Sequence, residues 1–561
     1  MTMKKILFLS ILILFSQSCK NILEEEIVSG ITADYYNTPA GIEDGVKATY
    51  EPLRSWYGTQ RGYTLTVFGT DTYTKGADGD YKPVNDYIAT MNTPPSNTYF
   101  RETWNFLYQA INTANTVISR APNVTMAEDR KAIRIAEAKF LRAHYYFILV
   151  QMFGPIHLTL EETTTIETTA NRTPVLEIYA AIIADLEAAA SVLPAAARGA
   201  DYGRATKGAT EHMLAKVHLT RATIEGNPNP TEDYQKAATY AKSVIETTAY
   251  GYSLVPVYAN VFNQDNQENP EVVFAVQYTT ELITNYNPNA NPAGGEFNDG
   301  NKGHLYFQME YDAGHKGTKR DIANGRPFKR FKPTVYTQNL FNLSADTRYT
   351  ASFKQVWYAN NDATLDQVTG PMKLGDTAIY LPAFEMPADV KATKKYKVIN
   401  PSEVNSAGNY RYFPSLIKFL DPRRASIQDE RGSRDFMVAR LSETYLIAAE
   451  ANLKLGNISD AVNYINVVRR RAAFPGKTAD MEITADQLTM DFILDERARE
   501  LLGEMHRWFD LKRTGTLIDR VKKYNPDGGP NIQPFHVLRP IPSDQLDRVT
   551  NKEEFQQNPG Y

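Results

Sequence analysis

Apolar residues recur at helical spacing through the stretch 436–515. Leu441, Tyr445, Ala448, Asn452 and Leu455 stand four, three, four and three residues apart, which puts them on one helix face. Gly456-Asn457 ends that helix, since both residues tolerate a left-handed cap. Ser459 is placed to cap the next helix, with Asp460 in its first turn and Ala461, Ile465, Val468 and Ala472 as its stripe. Ala448, Ala449, Ala451 and Ala461 line the seam with small side chains, so the pair reads as a helical hairpin of the tetratricopeptide type. A third helix is expected over DFILDERARELLGEMHRWFDLKRTG, with Leu494, Ala498, Leu501, Met505 and Trp508 on its apolar face. The charges between them (Asp495, Glu496, Arg497, Arg499, Glu500, Glu504 and Arg507) read as a solvated face of near-neighbour pairs and are assigned no catalysis.

The same period recurs upstream. A helix followed by aromatic loop is expected over 34–53, and a hairpin over 104–121 and 127–153. The second of these carries Ala136, Phe140, Ala143, Phe147 and Val150 on one side, and Gly154-Pro155 stops it. Another hairpin is expected over 175–193 and 206–224, and a further helix over 233–247. The pattern then changes. Across 252–435 there are only short β-like runs (271–278, 352–358, 378–383) between long loops. The fold class is therefore mostly α: a tetratricopeptide-like hairpin scaffold with an irregular, loop-rich lobe containing short β-strands. Its parts are an N-terminal helical-repeat part with a ligand loop (34–251), a central lobe draped on the helices (252–435), and a C-terminal hairpin with an irregular tail (436–561).

Two loops stand out. The first, 69–102, follows a G-T-D turn and interleaves tyrosines with Gly, Pro, Asn and Asp; a polar loop rich in rings is a plausible ligand surface. Asp71, Asp78 and Asp80 in it do not have the spacing of an EF-hand calcium loop, so no metal is assigned. The second, 286–331, is too long to be a simple connection, and its Tyr and Phe content argues against plain disorder. With 34 Tyr, 25 Phe and 4 Trp in 561 residues, rings exceed what a helical core needs. Charge is balanced at 61 basic against 65 acidic residues, without the basic stripe that nucleic acid requires. HExxH, GxSxG, P-loop and dinucleotide fingerprints are absent, and His144, His212 and His218 read as satisfied structural histidines.

The single cysteine, Cys19, excludes a disulfide framework. Two lysines, an apolar run over 6–15 and Ser16-Gln17-Ser18 precede it, so 1–18 reads as a secretory signal. Cys19 at the cleavage point looks like a lipobox cysteine, acylated to anchor the chain at 19–33, although Ser16 and Gln17 fit that motif loosely. An ordinary signal with a chance cysteine is the alternative. Glu24, Glu25 and Glu26 resemble a surface-export cluster and equally suit a solvated linker.

Taken in order, the lipobox and acidic run, AEAKFLRAHYYFILVQMFGP, IYAAIIADLEAAASVLP, RATKGATEHMLAKVHLTRA, RLSETYLIAAEANLKLGN, DERARELLGEMHRWFDLKRTG and PIPSDQLDRVTNKEEFQQNPGY resemble the SusD/RagB family of Bacteroidetes outer-membrane nutrient-binding lipoproteins. KPTVYTQNLF and DTRYTASFKQVWYAN in the long central lobe depart from the general pattern, and the second resembles the family's complex-glycan branch. The resemblance implies a non-enzymatic glycan-binding protein on the extracellular face of the outer membrane, lidding a SusC-like TonB-dependent transporter and needing no cofactor. It implies ligand residues in the two loops. The corresponding positions are Asp71, Tyr73, Tyr81 and Asn85, then Tyr286, Tyr306, Tyr311 and Arg326, of which only Asp71 rests on a motif-like match. Two other readings stay open: a peptide-binding scaffold using the helical groove, and a surface glycosidase, which would need a facing carboxylate pair.

Overall fold

The computed structural model describes residues 33–79, 81–93, 97–197, 199–281, 300–367 and 371–561; Cys19, Glu24, Glu25, Glu26 and Tyr286 lie outside them. Its longer helices are α1 (Pro39–Tyr50), α2 (Gln60–Thr66), α3 (Asn97–Arg120), α4 (Glu128–Phe153), α5 (Val175–Ala190), α6 (Lys207–Arg221), α7 (Pro230–Glu246), α8 (Leu441–Lys454), α9 (Ile458–Arg471), α10 (Met490–Glu500), α11 (Arg507–Arg513), α12 (Leu517–Tyr524) and α13 (Ser543–Arg548). From α3 to α9 each helix packs on the next, and α8 takes its place beside α7 although 252–435 separates them in sequence. The central lobe is thus an insertion into a continuous helical stack. Among the described residues no helix is long and apolar enough to cross a membrane.

The stripes read from the sequence are the core: Ala136, Phe140, Ala143, Phe147 and Val150 are buried, as are Leu494, Ala498, Leu501, Met505 and Trp508. Local signals act as expected at α6, whose N-cap Thr206 accepts a bond from Ala209 N at 3.1 Å. Two expectations change. Asn457, not Ser459, is the N-cap of α9, so Ser459 falls within its first turn. The expected single helix over 491–515 breaks into α10 and α11. Gly503 (φ +80°) and Met505 (φ +65°) adopt left-handed backbone between them. The glycine supplies the first turn freely; Met505 tolerates the second because its side chain is held in the main core.

Among the described residues nine short strands serve the lobe. At its base, β2 (Val272–Val276) pairs antiparallel with β9 (Phe436–Arg440), so the chain leaves and re-enters the helices at one point. Further out, β1 (Tyr73–Lys75) pairs with β3 (Phe331–Pro333), β4 (Phe353–Lys354) with β8 (Ser415–Leu416), and β5 (Val356–Tyr358), β6 (Thr377–Tyr380) and β7 (Lys397–Val398) form a small mixed sheet. The lobe shares the main core with the helices through Leu305, Tyr306, Phe307, Phe331 and Phe419. It adds a smaller core of its own around Met309, Tyr311, Trp357, Ile379 and Phe413.

The charges expected on a solvated face are mostly interior. Glu496, Arg497, Glu500, Glu504 and Arg507 are buried. Arg440, 1 % exposed, binds Glu271 at 2.6 Å, Glu504 at 2.7 Å and Glu500 at 3.1 Å. Arg348 joins Asp346, Glu496 and Glu500, while Arg471 reaches Glu271 and Glu500, and Lys418 reaches Glu504. Burial alone would raise the Glu500 pKa, but Arg471, Arg440 and Arg348 outweigh it and bring it down to about 2. An amphipathic pattern records which positions are polar, not whether the polar face meets water or another charged face; here it meets the lobe.

Removing one partner leaves its counter-charge buried and unpaired. Arg440→Met is expected to cost on the order of 3–5 kcal/mol, read as a lower midpoint of chemical denaturation; an unchanged midpoint would show the network to be dispensable.

Acid should act in two stages. Burial brings His144 down to about 3 and His506 down to about 4, so between the ordinary value of 6.5 and those values only the unfolded chain takes up protons, and stability falls. Glu500 contributes fully above its ordinary 4.5, and its contribution is lost as pH falls toward about 2. The melting temperature should decline in both windows, and Glu500→Gln should flatten the lower decline. A melting temperature constant from pH 7 to pH 4 would contradict the buried neutral histidines.

Candidate functional site

The G-T-D turn is built inward. Asp71 is wholly buried, and Arg507 grips both its oxygens at 2.7 and 2.6 Å while Arg520 adds a bond at 2.7 Å. Burial pushes its pKa up, but the two guanidiniums, Arg507 foremost, hold it below the ordinary value. Asp71 therefore ties the first loop to α11 and α12 and has no oxygen left for a ligand.

Two residues further on, β1 runs along β3 with Tyr73 opposite Pro333 and Lys75 opposite Phe331. Thr334 and Thr337 donate to the carbonyls of Asp71 and Thr72 at 2.5 and 2.7 Å. A Cβ on Gly76 would meet the Lys329 carbonyl oxygen at 2.0 Å, so this close approach requires glycine. The two loops singled out in the sequence are thus joined by a short antiparallel pairing.

Most of the expected ligand side chains face into that joint, which corrects the expectation. Tyr73 lies edge-on to Phe307 at 5.1 Å; Asn85 is buried and accepts from Asn525 at 3.1 Å. Tyr306 packs between Tyr63 and Phe331, each at 5.9 Å, and Tyr311 donates to Gly325 O at 2.5 Å beside Trp357. A lobe made of loops has no helical stripe to bury, so its rings form its core. Tyr81, 9 % exposed, stacks on Tyr99 at 3.5 Å. Arg326 stays at the surface, paired with Glu430 at 2.5 Å and lying over Phe328.

The exposed face of the joint carries other residues. Lys75 pairs with Asp86 at 2.7 Å and Asp527 at 3.4 Å, and its ammonium lies 5.9 Å from the Tyr410 ring. Tyr410 donates to Asp527 at 3.2 Å, and Thr74 does so at 2.6 Å. Beside them Lys329 joins Asp78 and Glu310 at 3.0 and 2.9 Å, and Arg411, 58 % exposed, joins Glu310 at 2.6 Å. Arg330 covers Phe328 at 4.7 Å. Tyr410 and Tyr412 are half-buried. Phe328, Tyr410 and Tyr412 thus sit among paired cations and carboxylates whose remaining donors and acceptors face outward. Such a surface suits a ligand with apolar faces and many hydroxyls. Glu310 is a poor general acid: burial raises its pKa, but Arg411 and Lys329 outweigh it and hold it low. The raised carboxyls, Glu51 and Asp435 (up to about 6), are both lifted chiefly by burial. They lie elsewhere, Glu51 beside Lys47 and Asp435 on Tyr278 N.

Sequence reasoning passed over Tyr410, Arg411, Tyr412, Lys75 and Asp527. GNYRYFP, with rings alternating around an arginine after a Gly-Asn turn, was a readable signal for the first three; Asp527, between the last expected helix and the irregular tail, had none. Asp71→Ala should unfold rather than disarm the protein. With two buried guanidiniums left facing each other, a stability loss on the order of 3 kcal/mol or more is expected by denaturant titration; a variant of wild-type stability would free Asp71 for a ligand role.

Comparison with known proteins places these observations. A family model described as the SusD family matches residues 270–561, just over half of the chain. A second, described as "Starch-binding associating with outer membrane", matches residues 52–219. SusD-like protein P25 of Formosa agariphila is 25% identical over 97% of both chains, and SusD-like protein P2 of the same organism is 26% identical over 99% of both. Among solved structures, a SusD homolog from Bacteroides thetaiotaomicron superposes with a TM-score of 0.71 at 21% identity, covering 94% of this chain and 98% of that one. A laminarin-binding SusD-like protein gives 0.66 at 21% identity, over 93% and 100%. Surface glycan-binding protein A from Bacteroides thetaiotaomicron in complex with laminarihexaose gives 0.64 at 20% identity, over 93% and 99%.

Proposed function

The chain belongs to the SusD family, and from that premise we propose that it is a surface glycan-binding lipoprotein. It captures oligo- or polysaccharide on the joint face and passes it to a SusC-like TonB-dependent barrel in the outer membrane. The observation that carries the ligand half is the β1–β3 pairing, which unites the two loops under one exposed face of rings and hydroxyl-binding groups. Related folds whose names include laminarin and laminarihexaose support a β-glucan as the first ligand to try. Cys19 carries the lipid, with 1–18 removed, and holds the body at the extracellular face.

The peptide-scaffold reading has less support. The space between the helices, lined by Trp56, Phe140, Phe147, Met213, Phe274 and Phe509, is about 60 Å³, room for a few waters. The chain acts without catalysis: the carboxylates of the face are paired with cations, and Glu310 is held low by Arg411 and Lys329.

The test is calorimetry of the chain lacking residues 1–19 against laminarin and a panel of other soluble polysaccharides, with reducing ends assayed in the same tubes. Saturable binding without release is expected. The double substitution Tyr410→Ala with Arg411→Ala should weaken it about tenfold, the loss of one ring platform and one charged donor. Release of reducing ends would overturn the non-catalytic reading, and binding untouched by the double substitution would move the ligand off this face. In cells, Cys19→Ala should shift the protein from the outer-membrane fraction to a soluble one; unchanged retention would exclude the lipid anchor.

A further inference from the structure

A cleft of about 490 Å³ opens on the side of α3, away from the joint face. Its floor is the half-buried Tyr108, with Trp104, 3 % exposed and packed on Phe153, beneath it; the two rings are one helical turn apart and 4.9 Å between centroids. Asn105 and Gln109 stand beside them on the same helix. One wall is the segment 167–170, and the other is α13, which contributes Gln545 and Arg548.

The walls are fixed. Thr550 N donates to Thr168 O at 2.8 Å, Ala170 N donates to Asn551 at 3.1 Å, and Asn551 returns a bond to Ala170 O at 2.7 Å. Tyr108 donates to His157 O at 2.8 Å, which ties the floor to the strand of chain leading into the wall. The tail that read as irregular in sequence is thus the clamp that shapes the cleft.

The lining chemistry is specific. Among the described residues the side-chain amides of Asn105, Gln109 and Gln545 are committed to no hydrogen bond, and each presents donors and an acceptor. Thr168 and Thr169 add exposed hydroxyls, Glu167 lines one wall, and Arg548 on the other lies 3.5 Å from Asp544. The volume is that of a small-molecule site. The Tyr108 ring beneath uncommitted amides and hydroxyls, with its one guanidinium beside a carboxylate, matches a polyhydroxylated ring with an apolar face.

We propose that this cleft is a second carbohydrate site, taking a neutral oligosaccharide independently of the joint face. It rests on the glycan-binding reading above. Two weak sites on one chain hold a polysaccharide long enough to reach both by effective concentration rather than by a single tight contact.

Fluorine-labelled tryptophan provides a local readout. Of the four tryptophans only Trp104 lines the cleft, Trp56, Trp357 and Trp508 being buried elsewhere, and the Trp104→Phe spectrum assigns its resonance. Laminarihexaose, maltohexaose, cellohexaose and mannohexaose are titrated in turn. At least one should shift the Trp104 resonance saturably, with the shift retained in the Tyr410→Ala and Arg411→Ala double variant. Gln109→Ala with Gln545→Ala, both at the surface, should weaken that response at least about fivefold, the loss of about one hydrogen bond or more. A Trp104 resonance unmoved by all four sugars overturns the proposal even if calorimetry finds binding at the joint face. Loss of the Trp104 response in the joint-face variant also overturns it, by making the cleft an echo of the first site. Calorimetric silence across the wider panel, with the Trp104 response intact, would instead overturn the joint-face reading.

Discussion

Arg440 stands where the chain re-enters the helical stack, and its guanidinium has no water to satisfy it. It is held by Glu271, where the chain departs, and by Glu500 and Glu504, at the end of α10 and beyond it. Arg348 and Lys418 bring the interior of the lobe to the same carboxylates, and Arg471 brings α9. The entry, exit, lobe and last helices are therefore fixed to one another by directional, charge-assisted bonds in a dry setting. A core of apolar side chains of the same volume would hold as much free energy. It would not specify the register in which a loop-built lobe sits on a helical stack, whereas bidentate guanidinium contacts do.

A second clamp of the same kind sets the joint face. Asp71 is gripped by Arg507 and Arg520, so the start of β1 is fixed to α11 and α12, and β1 in turn fixes β3 and the lobe loops behind it. Gly76, pressed on the Lys329 carbonyl, leaves no room for the two loops to part and re-form with another residue between them. The face above the joint is therefore preformed. Its outward cations and carboxylates are already paired before a ligand arrives, which keeps each from drawing a strong counter-ion and leaves hydrogen-bonding capacity for hydroxyls.

The helical half of the molecule was readable because each helix buries a continuous stripe, and the 3.6-residue period records it whatever the partner is. The seam alanines and the Thr206 cap followed from local rules. What the helices pack against was not readable. Glu496, Glu500 and Glu504 have the spacing of a solvated face and meet a charged lobe that is distant in sequence. Gly503 and Met505 broke an expected helix because tertiary packing of Met505 outweighs its backbone preference. In the loops the limit is different. Rings at Tyr73, Tyr306 and Tyr311 and at Tyr410 and Tyr412 look alike in sequence, and burial separates them only through the β1–β3 and β4–β8 pairings, which short strands do not announce.

That separation bears on how a family fold acquires different ligands. The interior rings of the lobe are constrained by packing, since Tyr311, Trp357 and Phe413 fill one small core and a change in any of them is felt by the others. Tyr412 still leans on that core and on His315 at 4.8 Å, whereas Tyr410, bonded to Asp527, stands outside it. Substitution there changes the shape and donors of the face while Asp71, Arg440 and the β1–β3 joint keep it in place. A scaffold stabilised by buried ion pairs and a shared core can therefore exchange its exposed loops at little cost to folding.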